Sequence, residues 1–189
     1  MIGMNAQALA QIKAGHLEMA VCCAFYLIWW IIFFWPKIYN RVATGAPRVF
    51  GIISIIGAVV FGLLSAVGIA SGAGKLNTPV AGVATLVSGI ALYILLLFIT
   101  HRLFQRNPTT ELVLFVAWIV LELFCAYGLQ AAGLAGQAVL LIILALAGFV
   151  ISLMCYVLYY HLDPKPSFID GCLPLAAIGV ISLVMGLVL

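Results

Sequence analysis

The chain has 189 residues, of which 67% are hydrophobic and 7% are charged, and its formal net charge is +3. Soluble domains are about 45–50% apolar and about 25% charged, and no soluble fold of this length can bury so much apolar surface. The few, scattered positive charges exclude nucleic acid as an expected partner. The composition therefore predicts that a lipid bilayer surrounds most of the chain.

Six apolar segments are long enough to cross a bilayer, because a hydrocarbon core of about 30 Å requires about 20 helical residues. Their continuous apolar character favours helices over the alternating strands of a membrane barrel. The sequence thus predicts an all-α integral membrane protein, a bundle of six transmembrane helices forming one domain over residues 1–189. The predicted spans are 18–36, 49–71, 79–100, 110–130, 138–160 and 171–189.

Two segments at span ends have local signals. Residues 1–12 contain no Lys or Arg and so lack the basic start of a secretory signal, and residues 1–16 as a whole are polar enough to lie at the membrane surface. Their apolar positions recur at helical spacing, which predicts a short N-terminal interfacial segment. Before the sixth span, Ser167 to Asp170 has the spacing of a capping box, which predicts that the sixth helix begins there.

Lys and Arg are unevenly distributed between the two ends of the predicted bundle. The loops after the first, third and fifth spans contain six of them, Arg106 included, whereas the opposite end contains only Lys13 and Lys75. Because basic loops resist translocation, the sequence predicts a multi-pass protein of the cell membrane with both termini on the non-cytoplasmic side. The loops predicted to be cytoplasmic are 37–48, 101–109 and 161–170.

Small residues recur at every fourth position of several spans, where they allow close contact between helices in lipid. In the second span they predict a packing ridge, and the third, fifth and sixth spans contain shorter ridges of the same kind. The ridge of the second span consists of Ser54, Ala58, Gly62, Ala66 and Ala70.

The most unusual residue is Glu122, eleven positions after Glu111 in the fourth span. At about 16 Å along a helix, it lies near the bilayer midplane. A charge there costs about 2.5–3.5 kcal/mol, so an intramembrane carboxylate is expected to face the bundle and to have a function. No Lys or Arg lies within a span to pair with it, which predicts a mostly neutral carboxyl bonded to a hydroxyl, carbonyl or water. A structural clasp between helices is the alternative.

The first span sorts its side chains into an aromatic and an aliphatic half at about 100° per residue. Glu18 and Cys22 lie on the aromatic half, and Trp29 and Trp30 are predicted to share the depth of Glu122. An aromatic pocket with a carboxylate suits a cation or a proton-linked solute, and ordinary ring packing is the alternative. The predicted ligand-binding residues are Glu122, Trp118, Trp29, Trp30 and Glu18.

No metal or cofactor is predicted. The five cysteines have no ligand spacing and are expected to be small buried hydrophobic residues. No span contains the Lys of a retinal site, and the three histidines lie at span ends, which argues against a transmembrane haem. Motifs for zinc proteolysis, a nucleophile elbow and a P-loop are absent. The cysteines are Cys22, Cys23, Cys125, Cys155 and Cys172.

The favoured function is transporter- or channel-like, the binding or translocation of a small solute or cation through a midplane site, and it predicts a polar cavity at the depth of Glu122. The first alternative is a non-catalytic structural or accessory subunit, in a homo-oligomer or with a membrane partner subunit, with Glu122 clasped. The second, less favoured, is a membrane enzyme, which predicts that His101, His161 and Asp163 converge at the cytoplasmic rim.

Overall fold

A computed structural model of the chain describes residues 2–102, 105 and 110–189, without the side chains of 2–4, 86, 110 and 111. Arg106 and most of the predicted loop 101–109 lie outside the described residues. Over the described ranges the chain is helical and has no strand, as predicted. The helices are α1 (Ile2–Phe34), α2 (Ala46–Leu76), α3 (Pro79–Arg102), α4 (Thr110–Ala131), α5 (Ala135–Leu158) and α6 (Pro164–Val188), with a 3-10 turn at Pro36–Tyr39.

All six of these helices are long and apolar enough to cross a membrane. This confirms the predicted helical bundle and suggests a membrane location. Glycine contacts show that α1 runs antiparallel to α6, since Gly171 lies against Trp30 and Gly186 against Leu17. The two termini therefore lie at one end of the bundle. We call the opposite end, where α1 ends and α6 begins, the basic end. Its side of the membrane stays a prediction.

The first helix is much longer than its predicted span. Its 33 residues extend for about 50 Å, against a hydrocarbon core of about 30 Å. From Ile2 onwards the predicted interfacial segment forms the first half of α1, and Ala8, Ile12 and His16 within it are fully buried. The position of residues 1–16 relative to a membrane surface stays a prediction.

Glycines of α2 bring its backbone against α1. A methyl group at Gly72 would lie 2.6 Å from the carbonyl oxygen of Ala8, and one at Gly51 would overlap the ring of Phe33. These two contacts, at opposite ends of the pair, show that α1 and α2 are antiparallel. Because a side chain at either glycine would collide with its neighbour, the close approach depends on small residues, as expected for helices in lipid.

The packing ridge predicted on α2 faces α1 only in its first half. Ser54 and Ala58 are buried, whereas Ala70 is exposed, and the buried stripe continues instead through Ser65 and Ile69. A strict spacing of four advances by about 40° per step around a helix. A stripe that stays on one neighbour must therefore alternate spacings of three and four, which the predicted ridge did not do.

α3 is the most peripheral helix. It packs on α4, where a methyl group at Gly89 would lie 3.0 Å from Val120. Among the described residues, its contacts with helices other than α4 are slight. α4 also packs against α2 and α5, and α5 against α6. The result is a bundle with a side opening between α2 and α3, although only Asn77 and Thr78 separate these two helices.

Candidate functional site

Glu122 is clasped by a histidine from α1. Its Oε2 lies 3.0 Å from Nε2 of His16, and the two side chains are 1% and 0% exposed. The other ring nitrogen of His16, Nδ1, lies 2.9 Å from the carbonyl oxygen of Ile12. A carbonyl only accepts, so Nδ1–H is the donor in that bond. A single proton then joins Nε2 and Oε2: the imidazolium donates to the carboxylate, or the carboxylic acid donates to the imidazole.

His16 is the partner that the sequence did not reveal. It lies two positions before the predicted span 18–36, and the inference that all three histidines lie at span ends is wrong for it, because α1 begins at Ile2. The helices do contain basic residues, such as Lys13 of α1, but Lys13 is exposed, and it is His16 that pairs with Glu122. A signal was present: Ala8, Ile12, His16 and Cys23 continue one buried stripe back into the N-terminal segment.

Cys125 completes a group of three potential metal ligands. It lies three positions after Glu122 and hence on the same face of α4, and it is fully buried. One ligand atom from each of His16, Glu122 and Cys125 lies within 4.8 Å of the other two. The second carboxylate oxygen, Oε1 of Glu122, has no hydrogen-bond partner among the described residues. The middle of the bundle therefore brings a nitrogen, an oxygen and a sulfur atom close together in a buried position.

Other buried polar atoms of the described residues also lack a hydrogen-bond partner, as Oε1 of Glu122 does. Oγ of Ser65, Nε1 of Trp118 and Oγ of Ser182 have no hydrogen-bond partner in the described part of the chain. Trp118 lies one turn before Glu122, and its ring meets that of Phe115 edge-on, with 5.2 Å between centroids. Trp118 thus lies near Glu122, as predicted, and packs in an apolar cluster with Cys23.

The other predicted site residues do not join Glu122. Trp30 lies 14 positions after His16, about 21 Å along the helix, so the predicted shared depth is not found. Trp29 is half-buried, and its ring contacts other aromatic rings of α1. Glu18 is half-buried and lies about 200° around α1 from His16. A binding role for these three residues stays a prediction.

A wide apolar groove opens between α2 and α3. Its volume is about 740 Å³, and Trp118 forms part of its inner wall. Its other lining residues, which come mainly from α1, α2 and α4, include Met19, Cys22, Ile55, Gly62 and Thr85. Glu122 lines neither this groove nor the smaller cavity described next, so neither of them is the polar cavity predicted at its depth.

The smaller cavity, of about 190 Å³, lies at the basic end between α1, α5 and α6 and contains a second buried acid, Asp170. Asp170 is 6% exposed. Its carboxylate accepts a hydrogen bond from Cys155, but Oδ2 has no partner in the described ranges. Four aromatic residues line the same cavity, Trp30, Phe34, Tyr156 and Tyr159. We call this cavity the aromatic pocket.

The start of α6 places Asp170 in the aromatic pocket. The helix begins at Pro164, with Asp163 as its N-cap residue, so the predicted capping box at Ser167 is wrong. Ser167 donates instead to the carbonyls of Tyr159 and Leu162. Because α6 begins at Pro164, Asp170 lies in its second turn, and it is buried there. Its signal in the sequence was an acid one position before a predicted span.

The indole of Trp30 is fixed from two sides. Its Nε1 donates to the carbonyl oxygen of Phe168 at 3.3 Å, and its ring stacks on Phe34, with 4.0 Å between centroids. Trp30 also lies directly on Gly171. The aromatic wall of the pocket is therefore held in place by contacts within the protein.

The predicted catalytic rim is not assembled. His101, His161 and Asp163 are all exposed, and no hydrogen bond joins them within the ranges that the structure describes.

No protein-family model matches the chain, and neither a curated protein nor a solved structure matches it.

Proposed function

We propose that this chain is a multi-pass membrane protein that binds a small amine-bearing cation in the aromatic pocket, with Asp170 as the counter-charge. The observation that carries the proposal is a carboxylate only 6% exposed, one oxygen of which lacks a hydrogen-bond partner among the described residues. An unsatisfied buried carboxylate is costly. A bound ammonium group would offset that cost.

Aromatic rings supply the second part of the recognition. The face of a ring attracts an ammonium ion by about 0.5–2 kcal/mol, and Trp30 and Phe34 border the same cavity as Asp170. The volume of about 190 Å³ is below the roughly 300–1,000 Å³ of pockets for drug-sized ligands. The pocket therefore favours a small cation over a large or anionic solute.

The proposed site lies at the basic end and not at the depth of Glu122. Passage of the solute through a midplane site, as a transporter or a channel would require, stays a prediction. A solute that moved from the aromatic pocket along α1 would meet the clasp of His16 and Glu122 about 21 Å away.

The test is thermal unfolding of the purified chain with tetramethylammonium, methylammonium and the uncharged tert-butanol. We expect at least one cation, but not the alcohol, to raise the Tm of the parent. Asp170→Asn is expected to weaken cation binding about tenfold or more, because a charge-assisted contact contributes about 1.5–3 kcal/mol. The matched control is Asp163→Asn, which changes an exposed acid at the start of the same helix.

A second variant keeps the test valid if Asp170→Asn does not fold. Trp30→Leu removes the ring face but leaves the carboxylate, and it should also weaken cation binding. A parent that none of the cations stabilises, or an Asp170→Asn variant that responds as the parent does, contradicts the proposal.

The second candidate function is that of an accessory subunit of a membrane complex. Two observations favour it: His16 clasps Glu122, and the apolar groove beside α3 is open. Native mass spectrometry after extraction in mild detergent separates the two candidates. A stable second protein in the particle supports the accessory role, and a single chain stabilised by cations supports solute binding.

A further inference from the structure

We infer that His16, Glu122 and Cys125 bind one divalent transition-metal ion, such as Zn²⁺, in the middle of the bundle. Their ligand atoms lie within 4.8 Å of one another. Ligands of a tetrahedral zinc ion lie about 3.3–3.8 Å apart, because its bonds are about 2.0–2.3 Å long. Movements of about 1 Å therefore bring the three atoms around one ion. This site does not rest on the proposed function of the aromatic pocket.

The hydrogen bond behind His16 prepares it as a ligand. Nδ1–H donates to the carbonyl oxygen of Ile12 at 2.9 Å, which fixes the ring and leaves Nε2 as the nitrogen that faces Glu122. Metal-bound histidines almost always donate their other N–H to a carbonyl or carboxylate in this way. The backbone of α1 thus supplies the outer contact that such a ligand requires.

The charges of the three ligands suit a buried divalent ion. A carboxylate and a thiolate together carry two negative charges and a neutral imidazole carries none, so the complete site with a divalent ion is neutral. Neutrality matters because an uncompensated charge in an apolar interior is very costly. This condition applies here, because His16 and Cys125 are fully buried and Glu122 is 1% exposed.

The kinds of ligand atom define the class of ion. Imidazole and thiolate ligands suit Zn²⁺, Co²⁺ and other transition metals, whereas Mg²⁺ and Ca²⁺ prefer oxygen ligands alone. Oε1 of Glu122 also has no hydrogen-bond partner among the described residues, so this oxygen can turn to the ion without breaking a described bond. Three protein ligands leave a fourth position open to water or another small ligand.

Metal binding must release two protons. Without the ion, one proton joins Nε2 of His16 to Oε2 of Glu122, and a second is on the thiol of Cys125. The ion replaces both, forming bonds to nitrogen, oxygen and sulfur while two H⁺ leave.

The test is a titration of the purified full chain in detergent with Co²⁺, whose bonds to thiolate produce a near-ultraviolet charge-transfer band. We expect the band to saturate at one equivalent and to disappear when Zn²⁺ is added. Cys125→Ser should abolish the band and weaken metal binding at least tenfold. The matched control is Cys23→Ser, which changes another buried cysteine outside the three ligands and should leave the band unchanged.

Two further measurements keep the inference falsifiable. Thermal unfolding in chelator shows whether each variant folds, and Glu122→Gln, which keeps the size of the side chain, should weaken Co²⁺ binding without removing the thiolate band. Asp170→Asn should bind Co²⁺ as the parent does, so failure of the aromatic pocket and failure of the metal site are distinguishable. A folded parent without the band, or a band that survives Cys125→Ser, overturns the inference.

Discussion

The buried contact between His16 and Glu122 makes each of these two side chains depend on the other. Loss of one partner from a buried pair leaves an uncompensated polar group and costs about 3–5 kcal/mol, whereas replacement of both by apolar residues is often nearly neutral. We therefore expect His16→Leu and Glu122→Leu each to destabilise the chain strongly, and the double variant to recover most of the loss. A double-mutant cycle of unfolding free energies, measured in chelator, checks this.

Glu122→Gln is the matched control for that cycle. Its amide group can donate to Nε2 of His16, so the variant should lose much less stability than Glu122→Leu. Strictly additive losses in the Leu cycle would show that the two side chains do not interact, and would contradict the 3.0 Å contact.

Of the two residues in this buried contact, the sequence predicted only Glu122. Glu122 stands out because an acid surrounded by apolar residues must face inwards, and it does. His16 does not stand out, because a histidine near the start of a chain is equally compatible with a hydrated helix end. Only the continuation of α1 to Ile2 brings His16 to the middle of the bundle, and apolar periodicity determines helix ends poorly.

The packing of α1 on α2 depends on individual glycines of α2. A methyl group at Gly72 would meet the backbone of α1, at Ala8 and Ile12, whereas one at Gly74 would have no neighbour within 4 Å. Gly72→Ala should therefore destabilise the chain by about 1–3 kcal/mol through overpacking. Gly74→Ala should be neutral or stabilising by up to about 1 kcal/mol, because Ala favours a helix over Gly.

Reversible unfolding of the two glycine variants in lipid bicelles measures both effects. The pair is a matched control because the same substitution is made two positions apart in one helix. Equal stability of Gly72→Ala and Gly74→Ala would mean that α1 and α2 do not approach as closely as the structure describes.

The elements were predicted better than their ends. Each of the six predicted spans corresponds to one helix, because uninterrupted apolar runs leave little choice of secondary structure in lipid. The start of α6 was wrong because Ser167 resembles a helix cap but bonds to carbonyls of the preceding turn. The predicted cytoplasmic loop 161–170 also included Asp170, and so the aromatic pocket was not predicted, although Trp30, which forms one of its walls, was predicted as a site residue.

Taken as a whole, the described part of the molecule has its N-terminal and C-terminal helix ends at one end and the loops after α1 and α5, which are basic, at the other. Positively charged loops are retained in the cytoplasm, so we expect a C-terminal alkaline phosphatase fusion to be active and a C-terminal fluorescent-protein fusion to be dark. Exchange of Lys37, Arg41 and Arg48 for Gln should reduce this bias, because it removes half of the basic residues predicted at the cytoplasmic end.

The opposite reporter pattern, with a bright fluorescent fusion and an inactive phosphatase, would reverse the predicted sidedness. It would leave the helical bundle unchanged, because the antiparallel contacts of α1 with α2 and α6 do not depend on which side of a membrane each end faces. Loop charge alone predicts an orientation, which stays a prediction, whereas the order in which the helices pack depends on glycine contacts that no single span reveals.

Because α3 packs mainly on α4, the groove between α2 and α3 is open at the side of the bundle. In a bilayer, this groove of about 740 Å³ with almost entirely apolar walls faces the hydrocarbon core. We therefore expect acyl chains of the surrounding lipids to occupy it. An apolar ligand would bind by displacing such an acyl chain. It would gain little from the hydrophobic effect, since it moves from one hydrocarbon environment to another. The acyl-chain length and unsaturation of the bilayer lipids should then alter the affinity for an apolar ligand as strongly as a substitution of a residue that lines the groove.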